Sequence, residues 1–409
     1  MRCLHAALTP SGPFHEKFGF LCIVAGKSPL MDSIFFLSLM NGAAWGGSEE
    51  LWYRTALQAA AKGLKVGCAF YAWKEKEQKI ETLRKAGCQV YLLPNKGRDK
   101  ANLGERLRYK ISRWQVNQIA GNLPFHDYSL VVVNLGGFEI YTSTWKNLYR
   151  KLPAYALLFH NYDEGANFKP AKAKRLRRWI GGAAANLFAA RRIGETLEEK
   201  LHISIPHSGV FINPITFIPP SAPAPYPALE QTVSLVMLAE LDVSRKAQDN
   251  LLKALASPKW KIRDWHLSLY GKGNDKSLLQ GLIGQLGLSE KVALMGHSSN
   301  VKDVLQQAHL VLQITHRDAM PLAVMEAMAM ARPVVVSKVG DMPSWVEEDR
   351  NGWMAANASV GQIDAVLEKA WQHKNQWPVA GRQSFARFAE KFPASPEERF
   401  LRQLQPAAR

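Results

Sequence analysis

The chain is poor in cysteine, in acidic residues and in long apolar runs, and each shortage narrows what it does. Its four cysteines are Cys3, Cys22, Cys68 and Cys88. They form no CxxC pair and have no histidine at ligand spacing, which excludes a disulfide framework or a zinc site and fits a reducing cytoplasm. The longest apolar stretches, residues 34–40 and 130–135, fall far short of the roughly 20 residues of a membrane-spanning helix. Residues 1–30 lack the basic-then-apolar layout of a signal peptide and read as a poorly ordered extension, an overlong start ahead of the first strand. Repeats, heptads and low-complexity tracts are missing, apart from one proline-rich segment. Against 35 Asp and Glu stand 52 Lys and Arg, a net charge of +17. That surplus selects anionic partners without choosing among them. No recognition helix or RNA-binding aromatic signature supports nucleic acid.

What is present is an ordinary globular composition, 47% apolar and 21% charged over 409 residues, long enough for two domains. Apolar runs at 34–40, 66–71, 90–93, 130–135 and 156–160 alternate with helical periodicity, first after Gly46-Gly47 and then around 79–85. Beyond residue 230 the alternation restarts with strands at 233–239, 265–270, 292–295, 310–314 and 333–337 and helices at 248–255 and 277–286. Strand–helix alternation predicts parallel crossover units and doubly wound sheets. Between the halves, the prolines of FIPPSAPAPYP continue neither helix nor central strand. The expected organisation is an extension over 1–30, a first Rossmann-like domain over 31–216, a linker over 217–229, a second Rossmann-like domain over 230–385, and a C-terminal helix within 386–409 returning to the first domain. Two such sheets leave a cleft between their carboxyl ends, so function is expected on the loops after strands.

The segment THRDAMPLAVMEAMAMARPVVVS, residues 315–337, is the sharpest signal. A strand ends, a polar loop carries Asp318, and Pro321 sits where a first helical position tolerates its missing N–H. The helix then runs through Leu322 and Glu326 to Arg332. Its free N-terminal amides suit an anion, and the two carboxylates suit sugar hydroxyls. On spacing alone the segment reads equally as a core helix, with Asp318 an exposed loop acid and Glu326 a solvated one.

This pattern resembles the E-x7-E motif of glycosyltransferase family 4, with Asp318, Pro321, Leu322, Glu326, Ala327, Met328, Ala329, Pro333, Val334 and Val335 in register. The resemblance implies the GT-B fold, two Rossmann-like domains facing a central cleft. It also implies retaining, metal-independent transfer of a sugar from a UDP- or GDP-sugar to a hydroxyl acceptor, with no cofactor. In that pattern Asp318 contacts the donor sugar, Glu326 the ribose, and the amides of the loop through Ala319 and Met320 the diphosphate. LAELDVSRKAQDNLLKAL, residues 238–255, resembles the family's second motif and places Lys246 at a donor phosphate. Gly271 and Gly273 fall near the base or ribose, where glycines after a strand otherwise just make turns. His160 resembles the family's histidine facing sugar and acceptor. Gly46 and Gly47 stand either at the same phosphates or in a tight turn.

Three departures stand out. The family's arginine is Glu240, and two anions 4 Å apart repel by about 4 kcal/mol at an effective dielectric of 20. Glu240 must therefore turn away, pair with a base or take a proton, and Arg245 is the available substitute cation. The second departure is the motif's first glutamate, here Asp318, one methylene shorter, and the third is a pair of losses, Ser344 for the acid after the loop proline and Ala331 for a glycine. These departures leave a second reading open, a non-catalytic GT-B module that binds a glycan or protein. Basic stretches Lys169–Arg178, leading into Trp179-Ile180, and Arg106–Arg113, leading into Trp114, suit an anionic membrane surface as well as a solvated helix. They point to a cytoplasmic enzyme peripheral to the membrane, acting on a glycan or lipid-linked acceptor in surface polysaccharide or glycolipid synthesis.

Overall fold

The computed structural model describes residues 31–40, 45–94, 103–137, 145, 148–161, 165–229, 232–320 and 322–405. Cys3 and Cys22, the extension over 1–30, Asn41-Gly42 and Pro321 lie outside them. Within them, Cys68 and Cys88 are free and buried.

The apolar runs become the strands of two all-parallel sheets. In the first, β1 (Ser33–Ser38), β2 (Lys65–Tyr71), β3 (Gln89–Leu93), β4 (Leu130–Leu135), β5 (Ala154–Phe159), β6 (Ala185–Phe188) and β7 (Ser208–Val210) lie in the order β3-β2-β1-β4-β5-β6-β7. In the second, β8 (Val233–Leu238), β9 (Trp265–Tyr270), β10 (Val292–Gly296), β11 (Leu310–Gln313), β12 (Val334–Ser337) and β13 (Gly352–Ala355) lie in the order β10-β9-β8-β11-β12-β13. Central strands of a parallel sheet are covered on both faces and so read as unbroken apolar runs. β1 and β4 are accordingly buried at every position. The strand order reverses between β1 and β4 and again between β8 and β11. Such switch points open a crevice at the carboxyl ends.

Several elements differ from the sequence reading. β6, β7 and the helix Arg191–Leu201 were not anticipated, and the basic stretch from Lys169 forms the helix Pro170–Gly181 that one of its two readings expects. The turn that the family resemblance implies at Asn351-Gly352 is present over 349–351, and Gly352 begins β13. The helix expected to reach Arg332 ends at Ala329, and Ala331 takes a φ of 57°. That left-handed conformation is one glycine adopts freely and L-residues adopt at some cost, which accounts for the glycine of the resembling motif at this position.

The linker region 217–229 has neither helix nor strand. The helix Trp377–Lys391 runs through residue 386, where the returning segment was expected to start, because it packs against the helix Leu322–Ala329 of the second domain. A separate helix, Pro396–Leu404, makes the return, burying Phe400, Leu401 and Leu404 in the core of the first sheet. Among the described residues no helix is long and apolar enough to cross a membrane.

Candidate functional site

Local chemistry at the end of β8 fixes the first candidate side chain. Asp242 caps the short helix Val243–Lys246 by accepting from the Arg245 amide at 3.3 Å, and the Val243 amide donates to Asp275 Oδ2 at 2.8 Å. Ala247, with a φ of 49°, closes the turn. The Arg245 carbonyl that this turn exposes accepts from the His316 amide and from Thr315 Oγ1, both at 2.7 Å. The loop after β8 is thereby stitched to the loop after β11. Lys246 Nζ and the Asp318 carboxylate consequently form an ion pair whose side chains are only 12% and 17% exposed. Taking two charges this far out of water is costly unless each serves the other or a ligand.

Gly271 and Gly273 border the same crevice for a packing reason. A Cβ on Gly271, whose φ is 153°, would lie 1.9 Å from the Ala239 carbonyl oxygen, and one on Gly273 would lie 2.1 Å from that of Leu241. Their absent side chains let the loop after β9 lie against the backbone that presents Glu240 and Lys246.

The helix Leu322–Ala329 begins beside Asp318. Ala319 and Met320 are buried, and Gly340 admits the loop closely, since a Cβ there would lie 2.3 Å from the Asp318 carbonyl oxygen. Met325, Met328 and Met330 are core residues, as the plain reading of the segment held. Glu326, by contrast, is not solvated. It is 4% exposed and accepts through Oε1 from the Thr216 amide at 3.0 Å and Thr216 Oγ1 at 2.6 Å. Burial raises its pKa, and the two bonds from Thr216 work against that rise.

Across the cleft, Gly46 precedes the helix Gly47–Ala61. A Cβ on Gly47 would lie 2.4 Å from Leu322 Cδ1, so two helix N-termini from opposite domains approach each other. Below them runs a buried polar chain that sequence reasoning missed beyond His160. His160 at the end of β5 contacts Asn134 Oδ1 through Nε2 at 2.7 Å. Asn134 Nδ2 donates to Ser38 Oγ at 3.2 Å, and Ser38 Oγ donates to Glu49 Oε1 at 2.9 Å. A lone asparagine ending the apolar run LVVVNL was the available signal. Nothing local marked Glu49, because acids are common in first helical turns.

Burial lowers the His160 pKa to about 3. The ring is therefore neutral at physiological pH, and with Asn134 Oδ1 able only to accept, Nε2 carries the proton. As pH falls below the ordinary histidine value near 6.5, the unfolded chain binds a proton that the folded protein refuses. Stability from this group thus falls by about 1.4 kcal/mol per pH unit until the folded residue titrates. His160→Gln, unfolded by urea between pH 7 and pH 4.5, is expected to lack that component of the acid slope. Equal slopes in the two proteins would refute the assignment.

Two sequence expectations are modified. Arg245 does not stand free as a substitute cation: it forms an ion pair with Glu240 and lies 3.2 Å from Asp242. Glu240 has resolved its repulsion by pairing with a base. In the basic helix Pro170–Gly181, Trp179 and Ile180 are fully buried, so this helix offers basic residues but not those apolar ones to a surface. Trp114 and Ile111, on the helix Leu103–Gly121, are 62% and 43% exposed. The side chains of Arg106, Arg108 and Arg113 lie outside the described residues.

The geometry, two open parallel sheets with a charged pair and two helix starts at their switch points, agrees with comparison to known proteins. Residues 232–373 match the family model "Glycosyl transferases group 1". This segment belongs to that family. The chain is 24% identical over 240 residues to the poly(glycerol-phosphate) alpha-glucosyltransferase of Bacillus subtilis, covering 58% of this chain and 35% of that protein. Three curated relatives are matched over only 37%, 35% and 21% of their own lengths. A glycosyltransferase from Rickettsia africae superposes with a TM-score of 0.69 at 13% identity, covering 92% of this chain and 98% of that one. Anabaena HepE, solved in complex with UDP, superposes at 0.65 with 15% identity, covering 91% and 99%. The fold is GT-B.

Proposed function

We propose that this protein is a retaining glycosyltransferase that moves a sugar from a nucleoside diphosphate donor to a hydroxyl acceptor in surface polysaccharide or glycolipid synthesis. The observation that carries the reading is the pairing of Lys246 with Asp318 at the start of the helix Leu322–Ala329, faced by the start of the helix Gly47–Ala61. The family match over 232–373 and the relative acting on poly(glycerol-phosphate) support it. HepE, crystallised with UDP, supports a uridine donor.

In this reading the bond between the anomeric carbon and the diphosphate breaks while the acceptor oxygen attacks from the same face, and the acceptor's proton passes to the departing phosphate. Negative charge grows on the diphosphate, where Lys246 and the amides near Leu322 lie ready, so stabilisation there needs no metal. Asp318 positions the sugar, and Glu326, already held through Oε1, positions the ribose. Gly271 and Gly273 keep the loop by the base close. His160 is too weak a base to take the proton, and it serves as a neutral hydrogen-bonding wall beside the sugar. The exposed Trp114 and Ile111 add a contact with an anionic membrane surface.

A non-catalytic GT-B module is favoured by one observation, that Arg245 and Glu326 are already engaged within the protein. Calorimetric titration with UDP and GDP separates the readings. The transferase is expected to bind one of them with a Kd between about 1 μM and 1 mM, the usual range for such substrates, and to yield product of unchanged anomeric configuration. No binding of any nucleotide would leave the module reading.

A further inference from the structure

A cavity of about 840 Å³ lies between the start of the helix Arg191–Leu201, the loop 338–345 and the two C-terminal helices. It takes in His316 and Met320 from the loop that carries Asp318, but none of Lys246, Asp318, Glu326 and His160 lines it. Five cationic side chains from both domains do: Arg191, Arg192, Lys338, Lys391 and Arg399.

The three carboxylates in its wall are already committed. Asp341 accepts from the amides of Arg191 at 2.9 Å and Arg192 at 3.4 Å, capping that helix from the other domain. Glu195 lies 3.7 Å from Arg192, and Glu390 accepts from Arg387 at 3.0 Å. Lys338, Lys391 and Arg399 are left with no carboxylate at ion-pair distance among the described residues. Lys391 Nζ donates to the Ser344 carbonyl at 2.6 Å, which also accepts from Arg387 at 3.1 Å, and lies 5.3 Å from the centre of the Trp345 ring. Burial and the charge of Arg387 lower the Lys391 pKa, against the opposing pull of Glu390, Asp341 and Glu347. Lys391 is partly buried and the other four are exposed, so the cavity has a cationic rim, drawn from both domains, that is open to an anion from solvent. These cations come from separate elements on different sides. That arrangement suits the tetrahedral oxygens of a phosphoester better than a planar carboxylate, which one guanidinium grips in a plane.

We infer that this cavity binds a phosphoester group and, resting on the transferase reading above, that the acceptor substrate carries it. Its position beside the 316–320 loop then places the acceptor chain next to the donor sugar without drawing on the donor's own cation. The test is calorimetric titration of the full chain with glycerol phosphate and with inorganic phosphate, at constant ionic strength. Wild type is compared with Lys338→Ala, Lys391→Gln and Lys246→Ala. Saturable binding of glycerol phosphate, weakened at least tenfold by the first two substitutions and unchanged by the third, is the expected result. Binding of inorganic phosphate alone would overturn the acceptor assignment. No saturable binding, or binding lost only with Lys246→Ala, would overturn the site itself. UDP titrated alongside reads the donor site separately, so a protein that binds glycerol phosphate through Lys391 but no nucleotide would sink the donor reading and leave this one standing.

Discussion

Lys246→Ala is expected to lower kcat for sugar transfer by a factor of about 100 to 1,000, the scale seen when one preorganised group facing developing charge is removed. The expectation rests on the environment of the ammonium group. At 12% exposure it sits where solvent screening is weak, and among the described residues its one ion-pair partner is Asp318. When the diphosphate departs, the lysine meets a second and growing negative charge at no cost in reorganisation. Alanine removes that cation and also leaves the Asp318 carboxylate unanswered beside the leaving group. Part of the loss is therefore repulsion, which the double variant Lys246→Ala with Asp318→Asn separates. Its kcat is expected to lie above that of Lys246→Ala alone, a non-additivity typical of residues in direct contact. Circular dichroism and the urea midpoint of each variant show whether the fold is retained. Near-normal turnover in Lys246→Ala, with the protein folded, would mean that the donor diphosphate lies elsewhere.

How far the site could be read in advance depended on how local each cause was. β1 and β4 are visible in sequence because strands covered on both faces read as apolar runs, and β9 because its apolar residues alternate with polar ones. β6 and β7 are not, because β6 is a four-residue strand interrupted by Asn186 and β7 is a three-residue strand at the sheet edge. Lys246 stands in a turn capped by Asp242 and Asp318 on the loop after β11, and both were recognisable in sequence from the motifs around them, as were the glycines at 271 and 273 on the neighbouring loop after β9. Thr216 reaches Glu326 across 110 residues and Asp341 caps Arg191 across 150. Such contacts come from the meeting of two domains, and no periodicity encodes them. The same holds for Glu240: repulsion dictated that it find a base or a proton, but only the turn capped by Asp242 made Arg245 that base.

Arg332→Leu is expected to destabilise the second domain by about 3 to 5 kcal/mol, the cost of breaking a buried charged network from one side. Arg332 is fully buried, and its guanidinium donates to four carbonyl oxygens: Leu305 at 2.8 Å, Gln306 at 2.9 Å, Pro225 at 2.7 Å and Ala331 at 3.2 Å. Those of Leu305 and Gln306 end the helix Val301–Gln306, where the negative end of the helix dipole stabilises a cation. Leucine fills much of the volume but supplies no donor, so these acceptors lose their partners while still buried, at about 1 to 3 kcal/mol each before relaxation. Burial lowers the Arg332 pKa from the ordinary arginine range to about 10. The depressed group loses stability only as pH falls from that ordinary range towards 10, and below pH 9 it is charged in both states. The deficit of Arg332→Leu should therefore be the same at pH 6 and pH 8. Because Pro225 belongs to the segment joining the domains, freeing its carbonyl also loosens the joint that sets Thr216 against Glu326. Limited proteolysis should then cut the variant within residues 217–229 well before wild type. A urea midpoint unchanged from wild type would show that these four bonds add nothing beyond what leucine packing replaces.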